Sequence, residues 1–257
     1  MLKSLRAKLR YVVPHSIRVP RAQAYYTALA RRRSGERVMA GPFKGMRYID
    51  RAVGSAYVPK LLGIYERELY SIIEEIASNN PSVIVDVGAA EGYYAIGLAR
   101  RLPDVQVVAF ELTAEGRDAL AEMAAINGVA DRVAILGACE SPEAIGNALD
   151  GSPGVVIMDV EGFESVLLDP IRAPQLTGCT ILVELHEFAV AGITQTIERR
   201  FENSHTIDVI WSEERSPSDF PWSTPLTKLL PSQCLYDAVR EWRPPGMAWF
   251  VMRPIKV

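Results

Sequence analysis

The chain has 257 residues, of which 49% are apolar and 23% are charged, and its formal net charge is −3. This composition is typical of a globular protein with a full core and excludes collagen-like and low-complexity chains. The cysteines, Cys139, Cys179 and Cys234, form no CxxC pair, and no apolar run is long enough to span a bilayer. We therefore expect a protein without a disulfide framework, located in the reducing cytoplasm.

Positive charge is concentrated at the N-terminus. Residues 1–40 contain ten lysines and arginines against one acid, Glu36, so this segment carries +9 and the remainder −12. An acidic body argues against nucleic acid as a partner. The arm carries apolar residues at helical spacing, which is typical of a helix that contacts an anionic membrane or an acidic protein, or packs on its own domain or a sister subunit: Leu2, Leu5, Leu9, Val12 and Val13. We predict a basic helical arm over 1–40 and one domain over 41–257.

Within that domain, strand-like and helix-like segments alternate. Amphipathic patterns predict helices at 63–78, before Pro103, at 114–127, after Ser141 and at 194–203. Short apolar runs predict strands at 82–87, 105–111, 132–138, 155–159, 180–186, 205–211 and 247–252. Alternation at this spacing predicts an α/β fold with a doubly wound, mostly parallel seven-stranded sheet.

Residues 213–245 interrupt the alternation. Six prolines fall in this neighbourhood, together with the aromatic residues Phe220, Trp222, Tyr236 and Trp242. A long proline-rich loop in a compact domain is usually functional. We predict an insertion that either forms a lid over a site or caps the sheet as a structural excursion.

The turn after the first strand has the sequence Asp86-Val87-Gly88-Ala89-Ala90-Glu91-Gly92. Small residues allow close backbone approach to a ligand, and ligands of such sheets sit at the carboxyl ends of the strands. Two acids in this turn suit a cationic ligand with an amino group and a sulfonium better than a pyrophosphate. Glu111 ends the second strand, where it can accept hydrogen bonds from both ribose hydroxyls, and Glu140 can reach an adenine amino group.

These segments resemble the class I methyltransferases, and among them the FkbM family. The similarity lies in residues 85–94 (VDVGAAEGYY), in Phe110-Glu111 and in residues 158–164 (MDVEGFE), and it extends over roughly residues 41–186. The resemblance implies S-adenosylmethionine as cofactor and O-methylation of a hydroxyl on a sugar or other small molecule. The family often has Asn-Ile where this chain has Ala90-Glu91, so the contacts of the turn differ.

The predicted cofactor site collects residues from these turns. Tyr57 and Glu66 are added because the region before the first strand can close over a cofactor in such folds. The full set is Tyr57, Glu66, Asp86, Gly88, Ala89, Glu91, Gly92, Glu111, Leu112, Glu140 and Asp159.

Acidic residues and a histidine follow the fourth and fifth strands. Asp159 and Glu161 end the fourth, and Glu184, His186 and Glu187 end the fifth. Either Asp159 or His186 takes the proton of the acceptor hydroxyl, or Asp159, Glu184 and His186 hold a divalent cation such as magnesium. In the third alternative, His186 is a hydrogen-bonded structural residue.

Two other functions stay open at this point. A nicotinamide-dependent oxidoreductase would share the acid at Glu111, but residues 88–92 lack the GxGxxG phosphate turn. A non-catalytic cofactor-binding module could dock on a membrane or protein through the basic arm. An oligomer is compatible with either function.

Overall fold

The computed structural model describes residues 15–244 and 246–255. The predicted amphipathic residues 2–13 lie outside this part of the chain. The described residues form two compact units, one from residues up to Arg67 together with Glu213–Trp242, the other from Glu68–Ser212 and the residues after Trp242. In this division, residues 41–67 group with the preceding helix and with most of the predicted insertion. The predicted arm over 1–40 and domain over 41–257 stay a prediction.

The larger unit contains one seven-stranded sheet. Its strands are β1 (Val83–Val87), β2 (Gln106–Phe110), β3 (Val133–Leu136), β4 (Val155–Met158), β5 (Thr180–Leu185), β6 (His205–Trp211) and β7 (Ala248–Pro254), in the spatial order β3-β2-β1-β4-β5-β7-β6. β1 to β5 are parallel, whereas β7 is antiparallel to both of its neighbours. The predicted doubly wound, mostly parallel sheet is confirmed.

The helices, in chain order, are α1 (His15–Ser34), α2 (Tyr57–Leu62), α3 (Tyr70–Ser78), α4 (Tyr93–Arg101), α5 (Ala114–Asn127), α6 (Pro142–Ala148), α7 (Glu164–Leu167), α8 (Ile193–Phe201) and α9 (Ser232–Val239). α6, α7 and α8 pack on one face of the sheet in a core that includes Val85, Met158 and Val183. α4 packs against β1, β2 and β3 from the other face. Cover on both faces explains why every residue of β1 is buried and why the strand lacks polar alternation.

Local sequence sets the ends of α5. Thr113 precedes the helix in an extended conformation, and its side chain accepts a hydrogen bond from the Gly116 amide at 3.0 Å. Gly128 follows the helix with a φ of 69°, a left-handed conformation that glycine adopts without a steric cost. The predicted bounds of 114–127 are confirmed.

The smaller unit consists of α1, α2, α9 and the loops between them. Tyr26 of α1 packs edge-to-face on Phe220, with the ring centroids 5.3 Å apart, and Phe220 packs in the same way on Trp222. The hydroxyl of Tyr25 hydrogen-bonds Thr224 at 2.8 Å. The predicted arm therefore contacts the proline-rich segment through Tyr25 and Tyr26. The role of that segment as a lid stays a prediction. Within the described residues, no helix has the length and apolar character needed to cross a membrane.

Candidate functional site

The turn between β1 and α4 lies against the end of β4. Gly88 has a φ of 86°, and a Cβ there would lie 1.8 Å from the carbonyl oxygen of Asp159. The amide of Asp159 donates to the Val87 carbonyl at 3.0 Å. Only glycine fits here, for two reasons. Any Cβ would overlap the carbonyl oxygen of Asp159, and the left-handed backbone conformation is unfavourable for other residues. Gly88 thus places the predicted cofactor turn directly beside Asp159.

Two acids of this turn are buried. Asp86 is 4% exposed, and its Oδ2 accepts a hydrogen bond from the Ala95 amide in α4 at 3.0 Å. Glu91 is fully buried. Asp86 therefore joins the end of β1 to the following helix.

Glu111 lies beside this turn at the end of β2. Its Oε2 accepts from the Ala90 amide at 2.9 Å, and its Oε1 accepts from the amide and the hydroxyl of Thr113 at 2.7 and 2.6 Å. A Cβ on Gly116 would come within 2.6 Å of the carboxyl group, so this glycine leaves room for it. The carboxylate is held in place, and Oε2 retains a lone pair for a hydroxyl donor.

The remaining predicted cofactor residues are distributed between the two units. Ala89 is buried in the same turn as Gly88, whereas Leu112 is 73% exposed and Glu140 is exposed. Tyr57 and Glu66 belong to the smaller unit. Tyr57 has a buried hydroxyl for which no hydrogen-bond partner is found in the described chain, and burial raises its pKa to about 12. The contact of Tyr57 and Glu66 with a cofactor stays a prediction.

His186 lies between carboxylates that follow two neighbouring strands. Because β4 pairs with β5, the residues after these strands meet at one edge of the sheet. His186 is 1% exposed. Its Nδ1 is 2.6 Å from Oε1 of Glu164, and its Nε2 is 3.5 Å from Oδ1 of Asp159 and 3.4 Å from Oε2 of Glu161.

The carboxylates determine the charge preference of this histidine. Burial alone would lower the pKa of His186, but Glu164, followed by Asp159 and Glu161, raises it above its ordinary value. A proton taken up at Nε2 would therefore be stabilised by two facing carboxylates. This arrangement suits proton transfer from a hydroxyl.

The three predicted metal ligands lie close together, but one of them is already ion-paired with an arginine. One ligand atom each from Asp159, Glu184 and His186 lies within 4.8 Å of the others. However, Oε1 of Glu184 is ion-paired with a guanidinium nitrogen of Arg243. A cation at this position would have to compete with an arginine for the carboxylate, so the donor set does not fit a resident cation well.

Sequence reasoning omitted two residues of this site, Glu164 and Arg243. Glu164 lies in the segment MDVEGFE, five residues beyond Asp159 at the end of β4. Its contact with His186 is visible only in the structure, where the chain after β4 turns back toward the sheet. Arg243 comes from the strand-free region before β7 and is 59 residues from Glu184. No local signal in the sequence connects those two residues.

No family model matches the chain, and no curated protein matches it. Among solved structures, an rRNA methylase from Streptococcus thermophilus aligns with a TM-score of 0.50 and 10% identity over 74% of this chain and 98% of that one. The O-methyltransferase TomG from Streptomyces achromogenes, in complex with SAM, aligns at 0.48 with 16% identity over 90% and 89%. An O-methyltransferase from Bacillus cereus, in complex with SAH, aligns at 0.46 with 12% identity over 100% of both chains. The likeness to the rRNA methylase shows that the larger unit has a Rossmann-like methyltransferase fold.

Proposed function

We propose that the protein is an S-adenosylmethionine-dependent methyltransferase that methylates a hydroxyl of a sugar or another small molecule. One observation carries this proposal: Asp159 lies both against the glycine turn of β1 and beside the imidazole of His186. The order of the strands reverses between β1 and β4, and ligands of doubly wound folds bind at such a switch point. A cofactor turn and a proton-transfer group thus meet at one place.

The residues of the turn suit this cofactor. Glu111 would hold the ribose hydroxyls through its carboxylate, and the negative charges of Asp86, Glu91 and Asp159 would favour the positively charged amino acid and sulfonium end. The cofactor supplies an activated methyl group on sulfur. The segments that resemble the FkbM family support S-adenosylmethionine as the cofactor. The small-molecule acceptor is likewise a proposal that rests on this resemblance.

The chain's own contribution is to orient the acceptor and to receive its proton. His186 would accept the hydroxyl proton at Nε2, and Asp159 and Glu161 would stabilise the resulting imidazolium. Asp159 is the alternative proton acceptor. Much of the remaining catalysis is positioning, because the methyl donor is already reactive.

The oxidoreductase alternative fits the same turn less well. A dinucleotide would bring its pyrophosphate beside buried Glu91 and Asp86, and like charges at short range in a poorly hydrated turn repel. The binding-module alternative is separated from the enzyme by methyl transfer itself. Docking through the basic arm stays a prediction, as does a cytoplasmic location, which the free cysteines support.

Glu111→Ala is expected to weaken S-adenosylmethionine binding by about 1–3 kcal/mol, because the ribose hydroxyls lose a charged acceptor. Calorimetric titration with S-adenosylmethionine, and in parallel with NAD, measures the effect. Gly116→Ala should also weaken binding, since the new Cβ would displace the carboxyl group of Glu111.

Glu115→Ala is the matched control for the loss of negative charge. Glu115 is an exposed acid in the first turn of α5, four residues beyond Glu111, and its removal should leave the affinity unchanged. Unchanged affinity in Glu111→Ala would remove Glu111 from the site. Binding of NAD without binding of S-adenosylmethionine would contradict the proposed function.

A divalent cation is expected to bind weakly or not at all to Asp159, Glu184 and His186 in the native chain. Because Arg243 pairs with Glu184, we expect titration with Mn²⁺ to give a dissociation constant above about 1 mM. Arg243→Gln frees the carboxylate and should tighten Mn²⁺ binding, whereas Arg199→Gln, a change of an exposed arginine in α8, should not. Tight binding to the native chain that Asp159→Asn abolishes would return the cation to the mechanism.

A further inference from the structure

We propose that Glu164 is the positioning residue of this site: its carboxylate holds His186 with hydrogen on Nδ1 and so leaves Nε2 as the atom that can take a proton. The use of this arrangement in methyl transfer rests on the proposed function. The arrangement itself rests on contacts within the larger unit.

The contact between the two side chains is short and fully enclosed. Oε1 of Glu164 is 2.6 Å from Nδ1 of His186, and Glu164 has no exposed surface. An ionised carboxylate can only accept hydrogen bonds, so the nitrogen that faces it must carry the hydrogen. In a neutral imidazole, the other nitrogen then presents a lone pair.

Two backbone amides point to the same oxygen of Glu164. The amides of Gly162 and Val160 also donate to Oε1, at 3.1 and 3.4 Å. A backbone N–H can only donate, so Oε1 acts as an acceptor toward both amides. The same oxygen therefore accepts from Nδ1 of His186.

A strained turn brings these amides back toward Glu164. Glu161 has a φ of 53° and Gly162 a φ of 106°, both in the left-handed region. A non-glycine residue in this conformation is strained, and the surrounding contacts must offset that strain. The turn also places the carboxylate of Glu161 near Nε2 of His186, so Glu164 and Glu161 face opposite nitrogens of one ring.

His205 provides an internal reference with the opposite assignment. It is buried like His186, but its Nε2 lies 2.9 Å from the carbonyl oxygen of Cys179. A carbonyl accepts only, so Nε2 of His205 carries the hydrogen, while its Nδ1 lies 2.9 Å from the Ser204 hydroxyl. The neutral forms of the two buried histidines should therefore be tautomers of opposite kind.

The test is the tautomer of His186 in the full chain labelled with ¹⁵N-histidine. Long-range ¹H–¹⁵N spectra at alkaline pH, where the ring is neutral, distinguish Nδ1–H from Nε2–H. The chain contains three histidines, so His15→Gln and His186→Gln complete the assignment. We expect Nδ1–H for His186 and Nε2–H for His205.

Two variants separate the hydrogen bond from the charge. Glu164→Gln keeps an oxygen where the amides and Nδ1 converge and should retain Nδ1–H. Glu164→Ala removes the acceptor and should give a mixture of tautomers at His186 with His205 unchanged. Nε2–H in the native protein, or Nδ1–H that persists in Glu164→Ala, would overturn the proposal, and the native spectrum decides even if the alanine variant does not fold.

This measurement requires neither cofactor nor acceptor. A failure of the proposed function would appear as lost S-adenosylmethionine binding with the tautomers as expected. A failure of the positioning role would appear as the wrong tautomer in a protein that binds S-adenosylmethionine. The two outcomes are independent.

Discussion

Gly88→Ala is expected to destabilise the larger unit by about 2–5 kcal/mol and to abolish S-adenosylmethionine binding. The new Cβ would meet the Asp159 carbonyl oxygen at 1.8 Å, and the residue would be held at a φ of 86°. A left-handed conformation costs roughly 1–2 kcal/mol and overpacking about 1–3 kcal/mol. The oxygen belongs to the backbone and the Cβ is bonded directly to the backbone, so neither can move away as the end of a flexible side chain would. Urea unfolding and calorimetry measure the two effects.

Gly128→Ala separates the steric clash from the backbone conformation. Gly128 has a φ of 69°, and nothing lies within 4 Å of the position of its Cβ. This variant should lose only the conformational part, about 1 kcal/mol, and should bind S-adenosylmethionine as the native chain does. Equal losses at Gly88 and Gly128 would mean that the turn relaxes away from Asp159, contrary to the close contact described above.

Arg215→Ala is expected to destabilise the smaller unit by about 3–5 kcal/mol, because it removes the buried guanidinium that pairs with the Glu241 carboxylate. The Arg215 side chain is 0% exposed and that of Glu241 5%, and Nε lies 2.6 Å from Oε1. Oε1 of Glu241 also accepts from the Glu66 amide at 3.1 Å. Faster proteolysis within residues 213–242, together with an earlier unfolding transition in urea, would report the loss.

Arg172→Ala is the control for an exposed pair. Its bidentate contact with Glu143 has a similar length of 2.8 Å, but the side chains are 49% and 47% exposed. Its loss should change stability by at most about 1 kcal/mol, since solvent screens such a pair. Replacing Arg215 by Met together with Glu241 by Leu should recover part of the stability. Equal small effects in Arg215→Ala and Arg172→Ala would refute the assignment of a buried ion pair.

Much of the larger unit could be predicted from local sequence patterns. β6 and α5 have the predicted bounds. β1, β4 and β5 differ from the prediction by one residue at one end, and β2 by one residue at each end, because a β-branched apolar run or a capped helix can be recognised within a few residues. The position of Glu111 at the end of β2 followed from the same rule. Its hydrogen bonds to Ala90 and Thr113 did not, since they depend on the space that Gly116 leaves.

The division of the chain could not be predicted in this way. Residues 213–242 pack with α1 through Tyr26 and Phe220, which are far apart in the sequence. No periodicity within either segment indicates that the two aromatic rings meet. The boundary therefore followed from packing, whereas the prediction after residue 40 rested on charge.

By itself, the sequence determined the order of strands and helices, the glycine-and-acid turn and the placement of acids at strand ends, because propensity and periodicity act over short stretches of chain. Only the tertiary structure decided which of these groups touch. Glu164 reaches His186 across the pairing of β4 with β5, and Arg243 reaches Glu184 from 59 residues away. Such contacts depend on which strands pair and on where the loops run between them. The residues that meet in this way are far apart in the chain, and the local sequence around one carries no information about the other.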